Sequence, residues 1–172
     1  LACMVANLTI GRDRYKSGWP SAEKSLEIGR KAMEMGHDLA DSDAAGYDAV
    51  MDAYRLPKDT DNERSIRKDA IMKASINASI PPMEIAKLAL ELLRTLPKLA
   101  SDGNSNAITD VGVSSLLASA ACKGGLFNSE INLLGMENEV AEEMLNSVDS
   151  MRDECRIVAK EVMHLVHESL SR

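Results

Sequence analysis

Apolar residues recur at steps of three and four along nearly the whole chain, the spacing of one helix face, and no stretch reads as a convincing strand. LACMVANLTI predicts a first helix that stops at Gly11, followed by the polar, basic connector GRDRYKSGWPS. With Ser21 as N-cap, a second helix is expected over about 22–55, with His37-Asp38 or Ser42 as candidate bends. It ends at Leu56-Pro57, because the residue before a proline avoids helical dihedrals. Thr60-Asp61-Asn62-Glu63 is a capping box. It starts a third helix expected to reach about Ser79, with Ile66, Ala70, Ala74 and Asn77 on one face. Pro81-Pro82 then separates it from MEIAKLALELLRTLPKLA, in which Pro97 should kink or end the last turn.

The turn-rich SDGNSN at 101–106 precedes a helix expected from about Asp110 to Lys123, stopped at Gly124-Gly125. LFNSEINLL reads equally as short helix or extended chain. From Glu137 onward, Ala141, Met144, Val148, Met151, Cys155, Val158, Val162 and Leu165 form a heptad seam of about three repeats, enough to pack lengthwise on a neighbour. There is no internal repeat and no low-complexity segment. The expected architecture is all-α: a multi-helix bundle in a single domain over 1–172, with a long C-terminal helix.

Composition supports this and removes several function classes. Hydrophobic residues make up 45% and charged residues 27% of 172 positions, as in a globular domain able to bury about two-thirds of its unfolded surface. Aromatics are only 3%, a bias against strands. A formal net charge of −7 argues against nucleic-acid binding, which needs a basic face, and leaves anions only a local basic patch. Cys3, Cys122 and Cys155 are odd in number and widely spaced, which predicts free thiols, a reducing cytoplasmic setting and no zinc site. The longest apolar run, MEIAKLALELL, is broken by Lys87 and Glu91, so no membrane span is expected. The N-terminal LACMVANLTI looks like the end of a buried helix rather than a signal peptide.

Several polar residues resist a purely structural reading. At 100° per residue, taking Asp43 as zero, Tyr54, Tyr47 and Val50 all fall within about 40° of it, so a carboxylate sits inside an apolar arc. Burying it without a partner costs several kcal/mol. It is therefore hydrogen-bonded within the core, turned outward by a bend, or functional. Asp110 is either a first-turn residue complementing the helix dipole or a second functional carboxylate. Asn7 lies within the apolar first helix, and Asn104, Asn128 and Asn132 flank the less regular segments; each is either a satisfied amide or turn residue, or a ligand-facing group. His164 and His167 suit a helix C-terminus better than a metal, and His37 has no evident catalytic partner. Arg12, Arg14 and Lys16, like Arg64, Arg67 and Lys68, read first as solvated charge; Lys58, just after a helix-ending proline, is better placed to reach a ligand.

Taken together, MVANLTIGR, DAAGYDAVMDAYRLPKDT, GNSNAITDVGVSSLLASAA and NSEINL resemble, in order and spacing over roughly residues 1 to 134, the motifs of the formimidoyltetrahydrofolate cyclodeaminase and methenyltetrahydrofolate cyclohydrolase family. The resemblance implies an all-helical homodimer that binds a tetrahydrofolate derivative, with no metal or other cofactor. It also implies a family start, ahead of MVANLTIG, that this sequence does not contain. Two departures stand out: Asn128-Ser129-Glu130-Ile131-Asn132 replaces the usual Asn-Val-x-Ile-Asn, and Gly125 stands where alanine is common.

The implied chemistry is one of two related reactions. In the first, N10 of 5-formiminotetrahydrofolate attacks the formimino carbon and ammonia leaves, giving 5,10-methenyltetrahydrofolate. In the alternative, water adds to the methenyl carbon and the ring opens to 10-formyltetrahydrofolate; a third reading is a helical dimer that binds folate without turnover. Motif similarity favours the deaminase slightly, while the lack of a transferase segment pulls toward the hydrolase. Either reaction needs a carboxylate on the two parallel pterin donors, an acid/base group, and cations for the glutamate tail. On this reading Asp43 and Asp110 divide the first two tasks, with Asp43 preferred as acid/base. Asn7, Asn104, Asn128 and Asn132 orient the substrate, and Lys58, Arg12 and Arg67 receive its carboxylates.

Overall fold

A computed structural model describes residues 1–171 and contains five α-helices, with no strand among those residues. They are α1 (Ala2–Thr9), α2 (Trp19–Arg55), α3 (Asp61–Asp102), α4 (Ile108–Leu133) and α5 (Glu139–Leu170). Short 3₁₀ segments at Asp13–Gly18 and Ser105–Ala107 make the connections after α1 and α3. The all-α expectation therefore holds, but four helix boundaries differ from it.

The largest difference is α3, which runs through Pro81-Pro82 and Pro97 as one helix of 42 residues. A proline removes the N–H that would bond the carbonyl four residues back, so Pro82 frees the carbonyl of Ala78. Here α4 supplies a replacement donor, Asn132 Nδ2 donating to Ala78 O at 3.3 Å, while Ser129 Oγ adds a bond to the next carbonyl, Ser79 O, at 2.9 Å. The helix survives because its neighbour satisfies what proline leaves bare. The same neighbour overturns the second boundary. Gly124-Gly125 does not stop α4, which absorbs LFNSEINL and continues to Leu133. Gly125 is there for proximity: a Cβ on it would run into the Pro82 carbonyl and stand 3.1 Å from Ala86 Cβ.

The other two boundaries concern caps. The second helix begins at Trp19, with Pro20 in its first turn, and Ser21 Oγ donates to Gly18 O instead of capping. It then continues without interruption past His37 and Ser42. The last helix begins at Glu139 because Asn138 is its cap, its side chain accepting from Val140 N and Ala141 N. The Thr60–Glu63 capping box forms as expected in both directions.

Helix α3 is central and touches α1, α2, α4 and α5. It lies antiparallel to α2: Ser25 Oγ donates to Thr95 Oγ1 at 2.8 Å, and Gly46 lets α2 approach Ala78 at the other end. Leu90, Leu93, Leu96 and Leu99 of α3 fill the core with Val5 of α1 and Val111 and Leu126 of α4. The α5 seam is buried at Ala141, Val148, Cys155, Val162 and Val166, so at the end of the helix Val166 replaces the expected Leu165. A bidentate pair, Arg94 to Glu154 at 2.6 and 2.7 Å, joins α3 to α5, raising the arginine pKa and lowering the carboxyl one.

Cys122 and Cys155 are fully buried and free, and burial pushes the Cys122 thiol up to about 12, helped by the neighbouring Cys155. A thiol ionises with a pKa of about 8.5 in an unfolded chain, so Cys122 stays neutral in the native state while the unfolded state would lose its proton. Stability is thus complete below about pH 8.5 and falls as pH rises through that value toward 12. In a thiol-reagent titration at pH 8, half-buried Cys3 is expected to react first, with Cys122 and Cys155 reacting only on unfolding. Urea melts should show Gly125→Val destabilised by roughly 1–3 kcal/mol through overpacking against Pro82. The same melts should show Ser129→Ala losing about 0.5–1.5 kcal/mol with its bond to the Ser79 carbonyl.

Candidate functional site

Because α2 and α4 both run antiparallel to α3, they lie parallel to each other and flank a groove whose floor is α3. Helix α1 fills one half of that groove, packing Val5 and Ala6 inward. From Leu1 onward the groove is open, forming a cleft of about 310 Å³. Its walls are Gly36 and Leu39 of α2, Leu88 and Ala89 of α3, and Leu117 and Ala121 of α4. This cleft is almost wholly apolar, and none of the expected site residues lines it.

The helical stripes that line the cleft carry the polar residues onward. On α2, Asp43 lies one turn beyond Leu39 and two beyond Gly36. Asn128 is seven residues beyond Ala121 on α4, and Asn132 reaches the α3 floor at Ala78, where Gly46 approaches from α2. The structure thus brings Asp43, Asn128 and Asn132 to one level of the groove, beside Pro81-Pro82. Asp43 is half-buried, neither enclosed in the core nor turned out by a bend, and Asn128 is exposed. Asn132 has already committed its amide donor to the helix below it.

Beyond Asp43, past the end of α4, the α2–α3 pair continues alone to a basic end. Lys58, Arg64, Arg67 and Lys68 surround a second cleft of about 330 Å³ closed by Ile71. Two of these side chains are anchored: Arg64 Nη1 donates to the carbonyls of Lys58 and Asp59, at 3.1 and 2.9 Å. Arg67 donates through Nε and Nη2 to Tyr54 O at 3.2 and 3.1 Å, with its guanidinium 5.3 Å from the Tyr54 ring centre. Lys58 and Lys68 keep free ammonium groups on an exposed surface. The run from Asp43 to Lys58 is 15 residues, roughly 20 Å along the helix.

The remaining expected residues lie at the other end of the bundle. Asn7 is exposed on α1, and Arg12 is exposed just before the 3₁₀ turn at Asp13–Gly18. Arg12 and Lys58 are separated by the length of α2, about 55 Å. They cannot hold the same small ligand within one chain. Asn104 is buried and serves the fold: its Oδ1 accepts from Tyr15 Oη at 2.8 Å and Asn106 N at 3.1 Å, and its Nδ2 donates to Leu8 O at 3.2 Å. Asp110, half-buried in the first turn of α4, lies 22 residues before Asn132, which sets it roughly 30 Å from the level of Asp43. One ligand meets both aspartates only if a second copy supplies one of them. Sequence reasoning undervalued Arg64 and Lys68, treated as solvated charge. Their spacing was the available signal: four residues from each other, with Arg67 three after Arg64 and one before Lys68.

Among the described residues no cluster of three or more metal-ligating side chains forms, and no helix is long and apolar enough to cross a membrane. What the groove offers is a half-buried carboxylate, amides beside it, an apolar cleft on one side and cations on the other. This suits an elongated ligand that has a donor-rich ring at one end and carboxylates at the other.

Comparison with known proteins gives this arrangement a family. A methenyltetrahydrofolate cyclohydrolase from Methylorubrum extorquens is 29% identical over 172 residues, covering 99% of this chain and 83% of that protein. The formimidoyltransferase-cyclodeaminase of Mus musculus is 28% identical over 164 residues, and the match spans only 30% of its length. The crystal structure of a formiminotetrahydrofolate cyclodeaminase from Thermotoga maritima superposes with a TM-score of 0.82 at 26% identity, covering 97% of this chain and 80% of that one. The family model described as formiminotransferase-cyclodeaminase matches residues 1–150, and the chain belongs to that family.

Proposed function

We propose that this protein is an enzyme of folate one-carbon metabolism, acting on the carbon held between N5 and N10 of a tetrahydrofolate, and that it works as a homodimer. The observation that carries the first part is the groove: Asp43 and Asn128 share one level of it, and Lys58 stands at its basic end. The pterin 2-amino group and N3–H are parallel donors, and the glutamate tail is anionic, so the two ends of a folate match the two ends of this groove.

In the deaminase reaction, the N10 lone pair adds to the formimino carbon of 5-formiminotetrahydrofolate and the N10 proton passes to the imine nitrogen, forming a tetrahedral carbon bonded to N5, N10 and an amine. Protonation of that amine makes it a leaving group; the carbon–nitrogen bond breaks, ammonia departs, and the 5,10-methenyl cation is left. In the hydrolase reaction, water adds to the same methenyl carbon and loses a proton; the remaining hydroxyl proton then leaves as the formyl C=O forms, the bond to N5 breaks and N5 takes a proton, giving 10-formyltetrahydrofolate. Both need one group that exchanges a proton at the third substituent of the tetrahedral carbon. Asp43 takes that role in our reading, as the carboxylate that stands level with Asn128, one turn beyond the apolar cleft. Lys58, with Arg67 already fixed against Tyr54, takes the tail carboxylates. The deaminase is the first reading, and the hydrolase the second, favoured by the 29% relative matched over most of both chains.

The dimer rests on α4. Its outward stripe, Val113, Leu116, Leu117, Phe127, Ile131 and Leu134, is 44–70% exposed, while its opposite side is core. A helix apolar on both sides is a buried helix, and a contiguous apolar face of this length marks an interface.

Two assays separate the chemistries: ammonia release from 5-formiminotetrahydrofolate, and loss of methenyl absorbance in water. Asp43→Asn is expected to lower kcat at least about 100-fold in whichever assay is positive, with helical content unchanged. A rise in KM alone would make Asp43 a pterin ligand and not the proton carrier. Sedimentation should return twice 18.7 kDa for the wild type and a shift toward monomer for Ile131→Asp.

A further inference from the structure

The chain has one Phe, one Trp and three Tyr, so each exposed aromatic ring is conspicuous. Tyr15 is buried, its hydroxyl bonded to Asn104. Tyr47 and Tyr54 are not: they are 64% and 51% exposed. Both lie on α2, four and eleven residues after Asp43, within about 40° of it around the helix axis. That is the face whose earlier turns, at Ala32, Gly36 and Leu39, wall the apolar cleft. The Tyr54 ring is also held in place: the Arg67 guanidinium lies over it at 5.3 Å while bonding the Tyr54 carbonyl.

We infer that Tyr47 and Tyr54 are the aryl-binding positions of the groove. On this assignment Tyr47 stacks on the pterin beside Asp43, and Tyr54 stacks on the benzoyl ring whose attached carboxylates reach Arg67 and Lys58. The inference rests on the folate reading above and adds to it the two side chains that hold the rings in register. Seven residues separate the two tyrosines, about 10 Å or two helical turns. A folate likewise has two flat aromatic units joined by a short methylene-amine bridge. The order along the helix is the order along the ligand: ring for the pterin, ring for the benzoyl group, cations for the tail. Stacking on aromatics secures flat rings without fixing reactive groups, so these are positioning residues, not catalytic ones.

The test uses the full chain and four variants, Tyr47→Leu, Tyr47→Phe, Tyr54→Leu and Tyr54→Phe. Each is measured for kcat and KM in the positive assay, for binding of 5-formyltetrahydrofolate by calorimetry, and for mass by sedimentation. Both side chains are largely exposed, so folding is expected to be intact. The leucine variants should raise KM and Kd up to roughly ten-fold, leaving kcat within about two-fold, while the phenylalanine variants stay near wild type. Leucine variants that bind and turn over like wild type overturn the inference. So does a loss of affinity that accompanies dissociation to monomer, which would assign these rings to a subunit interface. A wild-type chain that neither binds the folate nor turns over either substrate would instead refute the folate reading itself.

Discussion

The contact between α4 and the Pro81-Pro82 segment of α3 is the constraint on which the rest of the molecule depends. Two prolines in mid-helix strip donors from the backbone; Asn132 returns one to the Ala78 carbonyl from the side, and Ser129 adds a bond to the neighbouring Ser79 carbonyl. Gly125 removes the Cβ that would keep the two helices too far apart for those bonds. Once α3 is one continuous rod, α2 and α4 can both lie along it, and a groove between them follows.

The fold also divides labour among its polar residues. Asn104 and Asn132 put their side chains into holding helices together, as does the anchored half of Arg67. Asp43, Asn128, Lys58 and Lys68 are left less constrained, and they share the open side of the structure. Polar groups satisfied within the fold keep it rigid, and groups left accessible are the ones able to meet a ligand.

The helices themselves were legible in the chain because their signals are local. The Thr60–Glu63 box, the Leu56-Pro57 stop, Gly11 with its positive φ and the α5 seam all act within a few residues of themselves. Gly124-Gly125 and Pro81-Pro82 misled for a shared reason: each was read as a local terminator, although each answers a neighbour distant in sequence. For the site, helical periodicity singled out Asp43 but could not measure its distance from Asp110. Angle around a helix is a property of one segment; the roughly 30 Å between two segments depends on how they pack.

By itself, then, the sequence determined an all-α chain, the Thr60–Glu63 capping box, the heptad face of α5 and the family motifs. Those depend on residue type and short-range spacing, which act before any tertiary contact exists. Only the tertiary structure decided that α3 is unbroken, that α4 runs through its glycines, and that Asp43 and Asn128 stand together while Arg12 and Asp110 stand apart. Those outcomes depend on donors, carbonyls and steric clearances supplied across the bundle, by residues up to some 50 positions away.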